Sequence, residues 1–119
     1  MGSDDLTLHV CHAINCGAPT QARMLFCLPH WRMVPKPVQS AVWHAYRRGQ
    51  ERDKRPSAFY VAVQRVAVAC VATQTGALSR DAALGFARDR IYLLGSRLDA
   101  EWRDHALRLL HHVPKEPAS

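Results

Sequence analysis

The sequence predicts a mainly α-helical protein in which a small N-terminal knuckle, rich in cysteine and histidine and including a short β-hairpin, packs on a bundle of about four to five helices. Three observations support this fold class. Apolar residues recur at helical spacing from residue 37 onwards, and polar, glycine or proline breaks separate the apolar stretches. Three of the four cysteines lie between residues 11 and 27, with histidines beside them.

The N-terminal part is predicted to form a hairpin-like turn. Residues 6–16 form a short extended piece. It leads into a turn because Asn15, Gly17 and Pro19 are turn-forming residues placed around a cysteine. Gly17 is expected to let the backbone turn tightly beside that cysteine. Residues 23–26 are the predicted return strand.

Two helices are predicted before residue 50. The first begins near residue 28 and is stopped by Pro35, because the residue before a proline is pushed out of the α conformation. The second covers residues 37–48, where apolar residues fall on one face. Gly49 is expected to end it.

Three further helices are predicted after a polar break. Residues 57–73 form a long helix that is apolar on both sides, so it lies either at the centre of the fold or in a dimer interface. Ser79 caps the next helix, which ends before Gly95. Asp99 caps the last helix, and Pro114 terminates it.

The length of 119 residues suits one compact domain, with the knuckle and first helices in residues 1–48 and the remaining helices in residues 49–119. The net charge of +6 favours polyanionic partners. The N-terminal residues carry no apolar stretch long enough for a signal peptide, and the apolar run at residues 58–72 is too short to cross a bilayer. We therefore expect a cytoplasmic protein with no membrane partner.

Four residues have the spacing of a tetrahedral metal site. Cys11 and Cys16 have four residues between them, Cys27 and His30 have two, and ten residues separate the two pairs. Zinc is bound by such pairs, of which one comes from a turn and the other from the first turn of a helix. Small buried free cysteines and a disulfide are the alternatives, and a reducing compartment disfavours the disulfide. His12 is the rival of His30 as fourth ligand.

The predicted ligand set also indicates what the ion does. Three thiolates and one imidazole close the coordination sphere, so the Zn²⁺ is expected to be structural, with no position left open for a reacting water. Cys70 is predicted to be a core residue, because nothing near it in the sequence would lower the pKa of its thiol. The sequence contains no glycine-rich phosphate loop and no nucleophile elbow, so it disfavours an enzyme.

A cluster of basic residues lies between the second and third predicted helices. It comprises Arg47, Arg48, Arg52, Lys54 and Arg55. Such a basic cluster can hold phosphates while the neighbouring Trp43 or Tyr46 stacks on a base. The alternatives are a solvated loop between helices, and aromatic side chains that seal the knuckle against the helices.

Several short motifs occur in order within residues 9–60, namely CHAINC, LFCLPHWRMVP, VWHAY and RGQE. Together they resemble the pattern CHAxxC, CxxHWxMVP and VWxxYRxGQE of a family of short, uncharacterised zinc-knuckle proteins from bacterial and prophage genomes. The resemblance implies the same four metal ligands and a mobile-element origin. It implies no reaction.

Two functions are predicted from these features. The first is a zinc-stabilised helical protein of the phage or prophage type that binds nucleic acid through the basic cluster, with Arg23 and Arg32 nearby. The alternative is a protein–protein interaction module, an inhibitor or adaptor of a host protein. Such a module would bind no nucleic acid and could self-associate as a homodimer through the helix at residues 57–73.

Overall fold

The computed structural model of the chain describes residues 9–21, 23–46 and 55–115. Within these residues the protein forms a two-stranded hairpin and five α-helices, which confirms the predicted fold class. The helices are α1 (Leu28–Trp31), α2 (Lys36–Ala45), α3 (Ala58–Thr75), α4 (Arg80–Leu93) and α5 (Ala100–Leu109). Short 3₁₀ turns follow α4 and α5 at Gly95–Arg97 and Leu110–His112.

The hairpin pairs β1 (His9–Val10) with β2 (Pro19–Thr20) in antiparallel register. The return strand therefore lies at residues 19–20, and its predicted position at residues 23–26 is wrong. Residues 23–26 still run beside the hairpin, because the carbonyl of Leu25 accepts a hydrogen bond from the N–H of His12 (2.9 Å).

The chain reverses earlier than predicted because of a turn at residues 13–16. The N–H of Cys16 donates to the carbonyl of Ala13 (3.1 Å), and Asn15 adopts the left-handed conformation with φ 69°. Asparagine tolerates this conformation better than most residues. The positive φ thus lies at Asn15 and not at Gly17, to which the tight turn was assigned.

Helix α3 lies at the centre of the fold. Twelve of its eighteen residues are buried, and they occur on every side of the helix, so α2, α4 and α5 all pack against it. Small alanine and valine side chains fill eight of these twelve positions. A homo-oligomer through this helix stays a prediction. Neither α3 nor any other helix in the described ranges is long and apolar enough to cross a membrane.

The helix ends follow the sequence signals in most cases. Ser79 caps α4 as predicted, since its hydroxyl accepts a hydrogen bond from the N–H of Ala82 (3.2 Å). Asp99 occupies the N-cap position of α5 but makes no side-chain cap hydrogen bond. Helix α2 ends at Ala45 because Tyr46 has an extended backbone, so the predicted end at residue 48 is too late.

Candidate metal centre

The structure brings together the four residues predicted as metal ligands. One ligand atom from each of Cys11, Cys16, Cys27 and His30 lies within 4.8 Å of the other three. The Nδ1 atom of His30 is 3.5 Å from the sulfur of Cys11 and 3.2 Å from the sulfur of Cys27. We call these four residues the metal cluster.

These separations match the edges of a tetrahedral site. With zinc–sulfur bonds of about 2.3 Å and zinc–nitrogen bonds of about 2.0 Å, tetrahedral angles place sulfur and nitrogen ligands about 3.5 Å apart and two sulfurs about 3.8 Å apart. The two sulfur–nitrogen distances of 3.5 and 3.2 Å agree with this geometry. The metal cluster can therefore hold a metal ion with small adjustments of the remaining sulfurs.

Each ligand is positioned by a separate piece of local structure. Cys11 directly follows β1, and the turn at residues 13–16 returns Cys16 to the same side. Cys27 is the N-cap residue of α1, and His30 lies within that one-turn helix. An N-cap residue and the third residue of the helix project from the same face, so both side chains reach one point.

Backbone N–H groups point at the cysteine sulfurs. The N–H of Ala13 lies 3.5 Å from the sulfur of Cys11, and the N–H of Ala18 lowers the pKa of the Cys16 thiol. Burial raises the pKa of the Cys11 thiol to about 11. The N–H groups of Ala13 and Cys27 lower this pKa, but their effect is smaller than that of burial. A bound cation would stabilise the thiolate and so offset the cost of burying its charge. Metal binding at Cys11 would therefore release a proton.

The rival ligand His12 lies outside the metal cluster. Its Nδ1 atom is 3.2 Å from the amide nitrogen of Gln64 on α3, which donates to it. Desolvation, followed by the charges of His9 and Arg65, lowers the pKa of His12, so a neutral ring with an accepting nitrogen fits this contact. His12 therefore joins the knuckle to the helices.

Three glutamines attach the knuckle (residues 9–21 and 23–34) to the helices. Besides Gln64, the amide of Gln39 donates to the carbonyl of Trp31 (2.9 Å), and that of Gln74 donates to the carbonyl of Met33. Sequence reasoning missed these anchors, because a glutamine on a helix usually faces solvent. Gln64 and Gln74 have partners 52 and 41 positions away in the sequence, which no local pattern reveals.

A chain of aromatic rings joins the knuckle to α2 and α3. Trp31 lies 6.5 Å from Phe26 and 6.1 Å from Trp43, measured between ring centroids. Tyr46 continues the chain, 5.7 Å from Trp43 and 6.3 Å from Tyr60. These contacts favour the interpretation in which the aromatic residues seal the knuckle against the helices.

Most of the basic cluster lies outside the described residues. Arg47, Arg48, Arg52 and Lys54 fall in the part of the chain that the structure leaves undescribed, and only Arg55 belongs to a described range. The described residues on either side are in contact, since the hydroxyl of Ser57 donates to the carbonyl of Ala45 (3.4 Å). The described residues that flank the basic cluster, Ala45 and Ser57, are therefore close to each other.

Cys70 is a core residue, as predicted. It lies inside α3 and is fully buried, and this burial raises the pKa of its thiol to about 12. A thiol with this pKa is protonated at neutral pH and reacts slowly as a nucleophile. Cys70 is thus separate from the three cysteines of the metal cluster.

The chain was compared with protein-family models, with curated proteins and with solved structures, and none of the three comparisons found a match.

Proposed function

We propose that this protein is a zinc-stabilised helical protein of the phage or prophage type that binds nucleic acid as an accessory or regulatory factor. The observation that supports nucleic-acid binding best is the basic cluster. Residues 47–55 contain five basic and two acidic side chains, so three of the six net positive charges fall in nine residues. A polyanion gains most from such a concentrated charge.

The chemistry of the metal cluster favours zinc. Three thiolates are soft ligands that select zinc over magnesium or calcium, and an imidazole completes a set of four. A closed set leaves no position for a reacting water, so the ion acts on structure. The zinc then holds Trp31 and α1 against α2, directly before the basic cluster in the chain.

The described residues on either side of the basic cluster are in contact. Ser57 donates a hydrogen bond to the carbonyl of Ala45, and Arg55 precedes Ser57 by two residues in the sequence. Five basic side chains within nine consecutive residues offer a phosphate backbone several cations along a short stretch of chain.

Fluorescence anisotropy with single-stranded DNA, double-stranded DNA and RNA at rising salt tests this function. We expect binding at low salt that weakens steeply as salt increases, with a logarithmic slope of about −3 to −4 for a single strand if all five cations contact phosphates. Changing Arg47, Arg48, Arg52, Lys54 and Arg55 to glutamine should abolish the binding.

A matched variant separates the basic cluster from net charge alone. Glutamine replaces five cations elsewhere, namely Arg88, Arg90, Arg103, Arg108 and Lys115. Both variants lower the net charge from +6 to +1, since each loses five cations. Equal loss of binding in the two variants, or no binding by the wild type at low salt, would refute the proposed function.

Two exposed apolar residues support the second candidate function, a protein–protein interaction module. Tyr92 and Leu93 at the end of α4 are 56% and 72% exposed. Exposed large apolar side chains are common at protein interfaces. Sedimentation velocity of the wild type and of Leu93→Asp tests self-association: a dimer that the substitution dissociates would support it, and a monomer at all concentrations would exclude it.

A further inference from the structure

An open pocket lies where α2 ends and where α3 and α5 begin. Its volume is about 360 Å³, which is within the range of small-molecule sites. The side chains that matter to its chemistry are His44, Ser57, Phe59, Arg97, Asp99 and Trp102. All of them belong to described residues, and none belongs to the metal cluster.

Aromatic rings form one wall of this pocket. Trp102 lies 4.6 Å from Phe59 and 6.5 Å from His44, measured between ring centroids. His105, which lies on α5 like Trp102, stacks beside the indole. The two ring centroids are 6.0 Å apart and the ring planes differ by 21°. Trp102 is nevertheless 40% exposed, so a large ring held by its neighbours is open to solvent. Such a ring is a platform on which another planar ring can stack.

The rim of the pocket combines positive charge with a carboxylate. Arg97 is exposed beside the aromatic wall. Ala58 and Phe59 in the first turn of α3 line the pocket, and the positive end of that helix dipole favours an anion there. Asp99 supplies a carboxylate, which accepts hydrogen bonds from the amino groups that most bases carry. A ligand that fits is planar, carries amino groups and is attached to an anion.

The pocket adjoins the two ends of the segment that carries the basic cluster. Ala45 and Ser57, whose hydrogen bond joins the end of α2 to the start of α3, both line it. Arg55 precedes Ser57 by only two residues in the sequence, so a strand whose phosphates bind the basic cluster can also reach Trp102. One nucleotide can then place its base in the pocket.

We propose that this pocket is a base-binding subsite, which takes one unpaired nucleobase of a single-stranded nucleic acid and stacks it on Trp102. The subsite rests on the proposed nucleic-acid binding and extends it from the phosphates to a base. Arg97 contacts the phosphate next to that base. The ligand class is single-stranded nucleic acid, because a base inside a duplex cannot leave its stack without cost.

The test compares a labelled single strand of about twelve nucleotides with an abasic strand of the same length, which keeps the phosphates and sugars but lacks the bases. We expect the wild type to bind the strand with bases about tenfold more tightly than the abasic strand. Trp102→Leu should bind both strands with the affinity that the wild type has for the abasic one.

Tyr92→Leu is the control, because Tyr92 is an exposed aromatic residue, 56% exposed, on α4 outside the pocket. It should keep the preference for bases. Equal affinity of the wild type for the two strands, a preference that survives in Trp102→Leu, or its loss in Tyr92→Leu, would overturn the subsite. The proposed function would survive that result, and it fails separately if the wild type binds neither strand.

A second measurement keeps the proposal testable if Trp102→Leu does not fold. The sequence contains three tryptophans, so the double variant Trp31→Phe, Trp43→Phe leaves Trp102 as the sole indole. Stacking of a base on this indole quenches its fluorescence. We expect quenching by the strand with bases and none by the abasic strand, and equal effects of the two strands would contradict the subsite.

Discussion

At the scale of single residues, neighbouring histidines have different roles. The Nδ1 atom of His30 lies 3.5 and 3.2 Å from two cysteine sulfurs, which is the spacing of ligands around one zinc ion. His12 instead accepts a hydrogen bond from Gln64 on α3. His9 is engaged as well, since its Nε2 atom lies 2.6 Å from the carbonyl oxygen of Met24. Proximity in sequence to Cys11 therefore does not make His9 or His12 a ligand.

Replacing His30 by alanine should weaken zinc binding strongly. The substitution removes a ligand, so the loss should exceed the roughly 10- to 100-fold that changes next to a ligand cause. Competition with a chromophoric zinc chelator measures the affinity. His12→Ala is the control, and it should bind zinc nearly as tightly as the wild type while it loses the contact with Gln64. The ligand assignment would be wrong if His12→Ala lost zinc and His30→Ala kept it.

The sequence alone could identify the four residues of the metal cluster but not their surroundings. Cysteine and histidine spacing is a local property, and the tetrahedral requirement leaves few other combinations. The contact between His12 and Gln64 spans 52 positions, and no local pattern reports such a distance. The pocket around Trp102 was missed for the same reason, because its lining residues extend from His44 to Trp102 along the chain.

At the scale of helices and strands, the longer elements were easier to predict than the short ones. Helices α3 and α4 repeat their apolar pattern over several turns, and Ser79 marks the start of α4. The two strands have two residues each, too few for an alternating pattern, and their register depends on the turn at Asn15. This explains why the return strand was placed too late.

Two glycine substitutions should have opposite effects on stability. Gly76 ends α3 with φ 79°, a conformation that costs an L-residue about 1 kcal/mol or more. Gly85 lies inside α4 with free space where a Cβ atom would be. Gly76→Ala should therefore lower the free energy of unfolding by about 1 kcal/mol, and Gly85→Ala should raise it by about 0.5–1 kcal/mol. Urea denaturation measures both.

The pair of variants controls for a general effect of adding a methyl group. No heavy atom lies within 4 Å of the added Cβ at either position, so neither alanine would clash. Any difference between them then comes from backbone conformation. If both substitutions changed the free energy of unfolding in the same direction, backbone conformation would not explain the effect of Gly76→Ala.

At the scale of the whole molecule, the knuckle and the helices share one hydrophobic core. Leu25, Phe26 and Val34 of the knuckle are buried in the same cluster as the apolar residues of α3. The three glutamine anchors and the aromatic chain from Phe26 to Tyr60 cross the same boundary. Loss of order in the knuckle should therefore lower the stability of the helices too.

Removal of the metal should unfold the knuckle and destabilise the rest. A structural zinc contributes an apparent free energy on the order of 10 kcal/mol, which is comparable with the stability of a whole domain. After treatment with a strong chelator we expect a lower melting temperature by circular dichroism. Hydrogen exchange should accelerate first at the N–H groups of Cys11 and His12, which pair with the carbonyls of Ala18 and Leu25.

Helix α3 should stay folded when the knuckle unfolds. Buried amides of α3 are protected by its own hydrogen bonds and by α4 and α5, so they should exchange later than those of the knuckle. The same chelator loaded with zinc beforehand is the control and should change nothing. If melting and exchange stay the same after elemental analysis has confirmed that the metal is gone, the ion does not hold the knuckle together, and the hairpin and α1 must be stable through their packing on α2 and α3 alone.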